Sequence, residues 1–190
     1  MTPSGPGALR AQFGGIDIYL FDQLLRGRIL PGHRIFDAGC GGGRNLVYFL
    51  REGYEAAAAD ADPAAIDSVR RLAATLAPAL PLENFRAEPL EALTWPEAWA
   101  DVVLSSAVLH FARDDAHFEA MLLGTWRVLK PGGLLFCRLA STIGLDGARP
   151  LAGRRHLLPD GSERYLVDEP LLLQWTSALG GKLEDPLKTT

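Results

Sequence analysis

Four glycines fall within the five residues from Gly39 to Gly43, inside the stretch DAGCGGGRN that runs from Asp37 to Asn45. The apolar run RIF leads into it and the apolar-periodic run NLVYFL leads out. A strand that breaks into such a loop and re-enters the chain as a helix is the opening of a βαβ unit. Glycine at this density means that backbone comes very close to a ligand or to a neighbouring element.

The rest of the chain repeats the alternation. Phe13, Ile16, Tyr19, Leu20 and Leu24 recur at helical spacing, which predicts a helix from about residue 13 to 29, closed by Pro31-Gly32. RIFDA reads as a buried strand, and a helix is expected from Arg44 to Glu52. The alanines Ala56–Ala59 favour helix by propensity, but Asp62-Pro63 is a strong helix start, so they are expected to form a short strand. ENFRA and DVVLSS follow as strands. Asp114 or Asp115 caps a helix with the stripe Phe118, Met121, Leu122, Trp126 and Leu129, and LLFCRLA is a further strand after Lys130-Pro131-Gly132-Gly133. Residues 140–167 are loop-rich and lid-like, with a hairpin at HLLPDGSERYLV. Asp168 caps a last helix, and KLEDPL is a weak final strand. Strand and helix in alternation build a mostly parallel sheet with helices on both faces, an α/β three-layer fold.

Bulk properties narrow the function classes. A chain of 190 residues, 48% hydrophobic, is large enough for one real core. One domain is expected over residues 13–190, with 13–31 as an N-terminal cap helix and 1–12 as a flexible tail. The net charge of −4 argues against a general nucleic-acid or anionic-membrane surface. No apolar run approaches the ~20 residues of a membrane span. Cys40 and Cys137 lack metal-ligand spacing, so free thiols in a reducing cytoplasm are expected, with no metal.

The glycine loop admits three readings. A phosphate-binding P-loop needs a Lys-Ser/Thr pair, which is missing. The dinucleotide pattern GxGxxG wants glycine where Arg44 stands, which weakens it. The pattern present is DxGxGxG over Asp37, Gly39, Gly41 and Gly43, and here the chain resembles the class I S-adenosylmethionine-dependent methyltransferases. RIFDAGCGGG looks like their first motif; Asp60 stands 21 residues beyond Gly39; Glu88 follows ENFRA; DVVLSSAVLHF and RVLKPGGLLF resemble their fourth strand and fifth-strand entry. GGGRN and GYE look like small methyltransferases such as the tellurite-resistance type.

The resemblance implies a Rossmann-like, doubly wound sheet of order 3-2-1-4-5 plus one or two terminal strands. It implies S-adenosylmethionine as cofactor and S-adenosylhomocysteine as product. Asp60 would take the ribose hydroxyls and Glu88 the adenine amino group. The backbone of Gly39, Gly41 and Ser105 would meet the methionine end, with Asp37, Cys40, Gly43, Asn45, Ala61, Pro89, Leu90 and Ser106 around them. Pro89 has no N–H where the family often uses one. His110 is a candidate general base, and Tyr19, His110, Arg154 and Arg155 are candidates to touch the acceptor. A small molecule with an O, N, S or metalloid nucleophile is the expected acceptor. The absence of [ND]PP[YF] after the fourth strand, where SSAV stands, counts against DNA bases. An unpaired sheet edge would permit a homodimer. A nicotinamide-dependent oxidoreductase and a non-catalytic S-adenosylmethionine-binding module are the alternatives.

Overall fold

The computed structural model describes residues 6–189. Its centre is a five-stranded parallel sheet of order β3-β2-β1-β4-β5, made of β1 (Arg34–Ala38), β2 (Glu55–Asp60), β3 (Phe85–Ala87), β4 (Ala100–Ser106) and β5 (Leu129–Arg138). Among the described residues the α-helices are α1 (Pro6–Phe13), α2 (Ile18–Leu25), α3 (Val47–Arg51), α4 (Pro63–Leu76), α5 (Asp115–Val128) and α6 (Glu169–Ala178). The strand order is the one implied by the resemblance.

Strand alternation sorts the core into two faces. Phe36, Ala38, Ala57, Ala59 and Val103 face α5, where Phe118, Met121 and Leu122 pack, and α6 adds Leu171, Leu172 and Trp175. On the other face Ala56 and Ala58 meet Leu46, Leu50, Ile66 and Val69, while Ile35, Val102 and Leu104 meet Leu20 and Phe49. The alanines of β2 are fully buried and hydrogen-bonded between β1 and β3, so tertiary burial overrides their helical preference. Asp62 caps α4 through a 2.9 Å bond from Ala64 N–H, with Pro63 first in the helix.

Four expectations change. Of the helix predicted over 13–29 only Ile18–Leu25 forms, because Gly14-Gly15 separate it from α1, which ends at Phe13, and Asp17 caps a new start by accepting from Tyr19 N–H at 3.0 Å. Within the expected tail, residues 6–12 are helical; residues 1–5 lie outside the described residues. The helix expected from Arg44 begins only at Val47, since the loop turns twice more through Gly43 N–H to Cys40 O and Leu46 N–H to Gly43 O. The strand expected at KLEDPL is not formed: Asp185 is held by Arg26 and Arg28 at 3.0 and 2.7 Å, and Pro186 offers no N–H to a ladder. Among the described residues β5 therefore pairs only with β4.

Residues 140–167 fold into a second, antiparallel sheet of β6 (Arg149–Ala152), β7 (Arg155–Leu157) and β8 (Glu163–Tyr165), and β7–β8 form the expected hairpin. It is anchored through Tyr165, whose ring stacks on Phe118 at 4.8 Å and whose hydroxyl donates to Asp115 at 2.9 Å.

Candidate active site

A cavity of about 670 Å³ opens where β1, β2, β3 and β4 end. The loops after those strands bring together Gly39–Gly42, Arg44 and Asn45, then Asp60 and Ala61, then Pro89–Glu91, then Ser106–Val108 and Phe111. Arg113, His117 and Met121 close it from the α5 side. Carboxyl ends of parallel strands are where an open α/β sheet binds ligands.

The glycines serve two purposes. At Gly39, φ is +78° and a Cβ would sit 2.4 Å from Val108 Cγ1, so this residue lets the loop after β1 lie flush against the loop after β4. At Gly41, φ is +50° and a Cβ would meet nothing within 4 Å, because it would project into the cavity. Gly43 lies off the cavity, packed on Val69 and Leu72 of α4.

Asp60 organises this wall. Its Oδ2 accepts from Gly41 N–H at 2.8 Å and its Oδ1 from Asp62 N–H at 2.9 Å. A carboxylate has about four lone-pair positions, so two remain for a ligand's hydroxyl groups. Cys40 is a buried filler whose thiol burial pushes up and away from ionisation, with the Asp37 charge adding to the effect. Asp37 itself is only 1% exposed and lies beneath the loop, off the cavity. Burial raises its pKa to about 7; the Arg44 charge opposes this and Asp60 adds to it.

The sequence-derived candidates separate clearly. Gly39, Cys40, Gly41, Asn45, Asp60, Ala61, Pro89, Leu90 and Ser106 line the cavity. Glu88 does not: its carboxylate is turned to Thr94, accepting from the backbone N–H at 2.9 Å and the hydroxyl at 2.6 Å. Glu91 faces the cavity instead, paired with His117 at 2.9 Å. Ser105 is fully buried within β4, one residue short of the wall. Tyr19 lies off the cavity on α2.

His110 is not arranged as a base. Its Nδ1 accepts from Ala140 N–H at 3.2 Å, and burial, helped by the charges of Arg164 and Arg138, lowers its pKa to about 4. Arg154 and Arg155 are also off the cavity, one bound to Asp168 at 2.9 Å and the other paired with Glu163 across the hairpin.

Sequence reasoning missed Asp17, Arg44, Arg138 and Phe111. Asp17 Oδ2 receives Arg138 Nη1 at 3.1 Å and Ser106 Oγ at 3.3 Å, with Arg44 Nη2 at 3.8 Å, and Asp17 N–H donates to Asn45 Oδ1 at 2.9 Å. One buried carboxylate thus ties α2 to the glycine loop and to the end of β5. The signal was present in part: Arg44 interrupts the glycine pattern.

A methyltransferase-domain family model matches residues 36–137, more than half of the chain and the whole of the loop set just described. The chain belongs to the class I S-adenosylmethionine-dependent methyltransferase family. It is 31% identical over 106 residues to an uncharacterized methyltransferase of Synechocystis sp., covering 56% of this chain and 46% of that protein. It is 32% identical over 131 residues to a ubiquinone biosynthesis O-methyltransferase of Methylocella silvestris, covering 69% and 49%. The chain thus spans about half the length of these relatives. The structure of a Burkholderia thailandensis 1,6-didemethyltoxoflavin-N1-methyltransferase, with S-adenosylhomocysteine bound, shares the fold with a TM-score of 0.61 at 23% identity, over 84% of this chain and 64% of that one. Among the described residues no helix is long and apolar enough to cross a membrane, and no cluster of His, Cys, Asp and Glu could hold a metal.

Proposed function

We propose that this chain binds S-adenosylmethionine in the 670 Å³ cavity and moves its methyl group to a small-molecule O, N, S or metalloid nucleophile. The observation that carries the reading is the juxtaposition of an open glycine backbone at Gly41-Gly42 with the half-engaged carboxylate of Asp60. The volume falls in the ~300–1,000 Å³ range of small-molecule sites. In this reading Asp60 keeps the loop in place through Gly41 N–H while accepting the ribose hydroxyls. Ala61, Pro89, Leu90 and Met121 form the apolar wall for adenine, whose polar edge falls to Leu90 N–H and Glu91, since Pro89 has no N–H and Glu88 is turned away. The methionine end meets the backbone at Gly39 and Ala107, beside Ser106 and Asn45.

The bound cofactor supplies a sulfonium, which carries the methyl group and is a good leaving group. The protein's part is alignment: holding the nucleophile in line and close. His110 stays neutral and anchored, so a proton lost by the acceptor leaves by another route. Residues 13–31 and 140–167 flank the cavity within what we take as a single domain.

Calorimetric titration tests this directly. S-adenosylmethionine and S-adenosylhomocysteine should each saturate one site while NADH gives no heat; binding of NADH alone would sink the proposal in favour of an oxidoreductase. A panel of acceptors, followed by S-adenosylhomocysteine release, then addresses turnover. Silence across the panel with tight cofactor binding favours a non-catalytic module.

A further inference from the structure

The arginines that line the cavity or lie behind its walls differ in what neutralises them. Arg44 and Arg138 share the buried Asp17, Arg113 lies 3.9 Å from Glu91, and Arg154 and Arg155 each have their own carboxylate. Arg164, on β8, has no carboxylate within 4.0 Å among the described residues; its Nη1 donates only to the Glu163 carbonyl at 2.8 Å. Its guanidinium lies over the ring of Phe111, 4.6 Å from the centroid. Phe111 lines the cavity and is 56% exposed, the one largely exposed aromatic side chain among the described residues.

Both members of this pair are held from behind. Tyr165, next along β8, is buried against Phe118 and bonded to Asp115, which fixes the strand carrying Arg164. His110 packs edge-on against Phe111 at 4.7 Å and is itself pinned by Ala140 N–H. An exposed ring that is held in place offers a flat apolar face or edge to whatever enters the cavity. A guanidinium stacked on it, with Nη1 engaged but Nε and Nη2 without a hydrogen-bond partner among the described residues, can take a carboxylate side-on through two parallel hydrogen bonds. Two cations sharing one anion nearby add a further positive excess, in a chain whose net charge is −4.

We infer that Phe111 and Arg164 form the acceptor-recognition element, and that the acceptor class is a small planar carboxylic acid. This rests on the methyltransferase reading above: Phe111 lies in the loop after β4, beyond Ala107 and Val108, on the side of the cavity left for the acceptor. Residues 140–167 then act through β8, which sets one charged side chain over the ring that lines the cavity, while Arg155 pairs across the hairpin and Arg154 ties it to Asp168.

The test uses the full 190-residue chain saturated with S-adenosylhomocysteine. Three probes are titrated by ligand-detected NMR: benzoate, benzamide and cyclohexanecarboxylate. Benzoate should bind about tenfold more tightly than benzamide, the size of one charge-assisted contact, and more tightly than cyclohexanecarboxylate. Arg164→Gln should erase the acid-over-amide preference and Arg164→Lys should keep part of it. Phe111→Leu should erase the flat-over-saturated preference, and S-adenosylhomocysteine affinity should stay within about twofold in all three variants. Equal binding of acid and amide, a preference that survives Arg164→Gln, or no binding of any probe to the loaded protein would overturn the inference. A protein that fails to take S-adenosylhomocysteine in the first titration overturns the cofactor reading instead, and this one with it.

Discussion

The wall built from residues 39–61 and the wall built from residues 106–113, the latter backed by β8 through Arg164, face the same cavity, yet they are held by different forces. The first is backbone on backbone: Gly39 and Cys40 N–H both donate to Ala59 O, and Gly41 N–H donates to Asp60. The second is side chain on side chain, a phenylalanine under an arginine beside an anchored histidine. Backbone contacts depend little on residue identity except where glycine is compulsory, whereas side-chain contacts change with every substitution. A common cofactor end and a variable acceptor end are what that difference allows.

The contrast can be broken most severely at Gly39. Gly39→Ala must hold a left-handed φ and push a methyl group into Val108, which should cost about 3 kcal/mol of stability. Thermal unfolding checks this, and adding Val108→Ala should restore part of the loss. If Gly39→Ala leaves Tm unchanged, the two loops do not meet as described.

Next in size is Asp60→Ala, which removes a charged acceptor from the ligand and from Gly41 N–H together. S-adenosylhomocysteine should bind ~30–100-fold more weakly by calorimetry, about 2–3 kcal/mol. Unchanged affinity would remove Asp60 from the ribose site and leave it a loop clamp alone.

A pH series sharpens the comparison, because Asp37 beneath the glycine loop and His110 in the loop after β4 both titrate between about pH 4 and 7, and the two act with opposite sign. His110, lowered from 6.5 to about 4, favours the folded state fully above pH 6.5, and that contribution is lost as pH falls to about 4. Asp37, raised from 3.8 to about 7, contributes fully below pH 3.8 and loses its contribution as pH rises through 7. In the unmodified chain the slopes oppose each other between pH 4 and 6.5. Asp37→Asn should therefore show Tm rising with pH across that window, and His110→Asn should show it falling. Parallel curves for the two variants would contradict both assignments.

The smallest effect is expected at Arg154→Ala. Its half-buried ion pair with Asp168 should be worth ~0.5 kcal/mol of stability, with no change in cofactor binding. A measurable drop in S-adenosylhomocysteine affinity would bring that side chain back to the cavity.

Much of the first wall was legible in the sequence. Asp62-Pro63 marks the start of α4, so the alanines before it had to end as a strand with Asp60 at its tip, beside the glycine loop. The turn after β3 and the second wall were not legible in the same way. Glu88 and Glu91 are three residues apart, and only the rotation of the short 3-10 turn over Leu90–Ala92 decides which one faces inward. Arg154, Arg155 and Arg164 look alike in sequence. They part company through hairpin register, which pairs His156 with Arg164 and buries Tyr165. Spacing predicts a turn or a hairpin, but not which of several like charges ends at a rim.

The hub at Asp17 bears on how molecules enter and leave. Lifting α2 would carry Asp17 away from Arg138, Ser106, Arg44 and Asn45 and break all of those contacts together. Turning Phe111 aside disturbs only its contacts with Arg164 and His110, at a surface already open to water. Movement at the ring therefore breaks fewer contacts than movement of α2, and ligand traffic is expected to run past the ring.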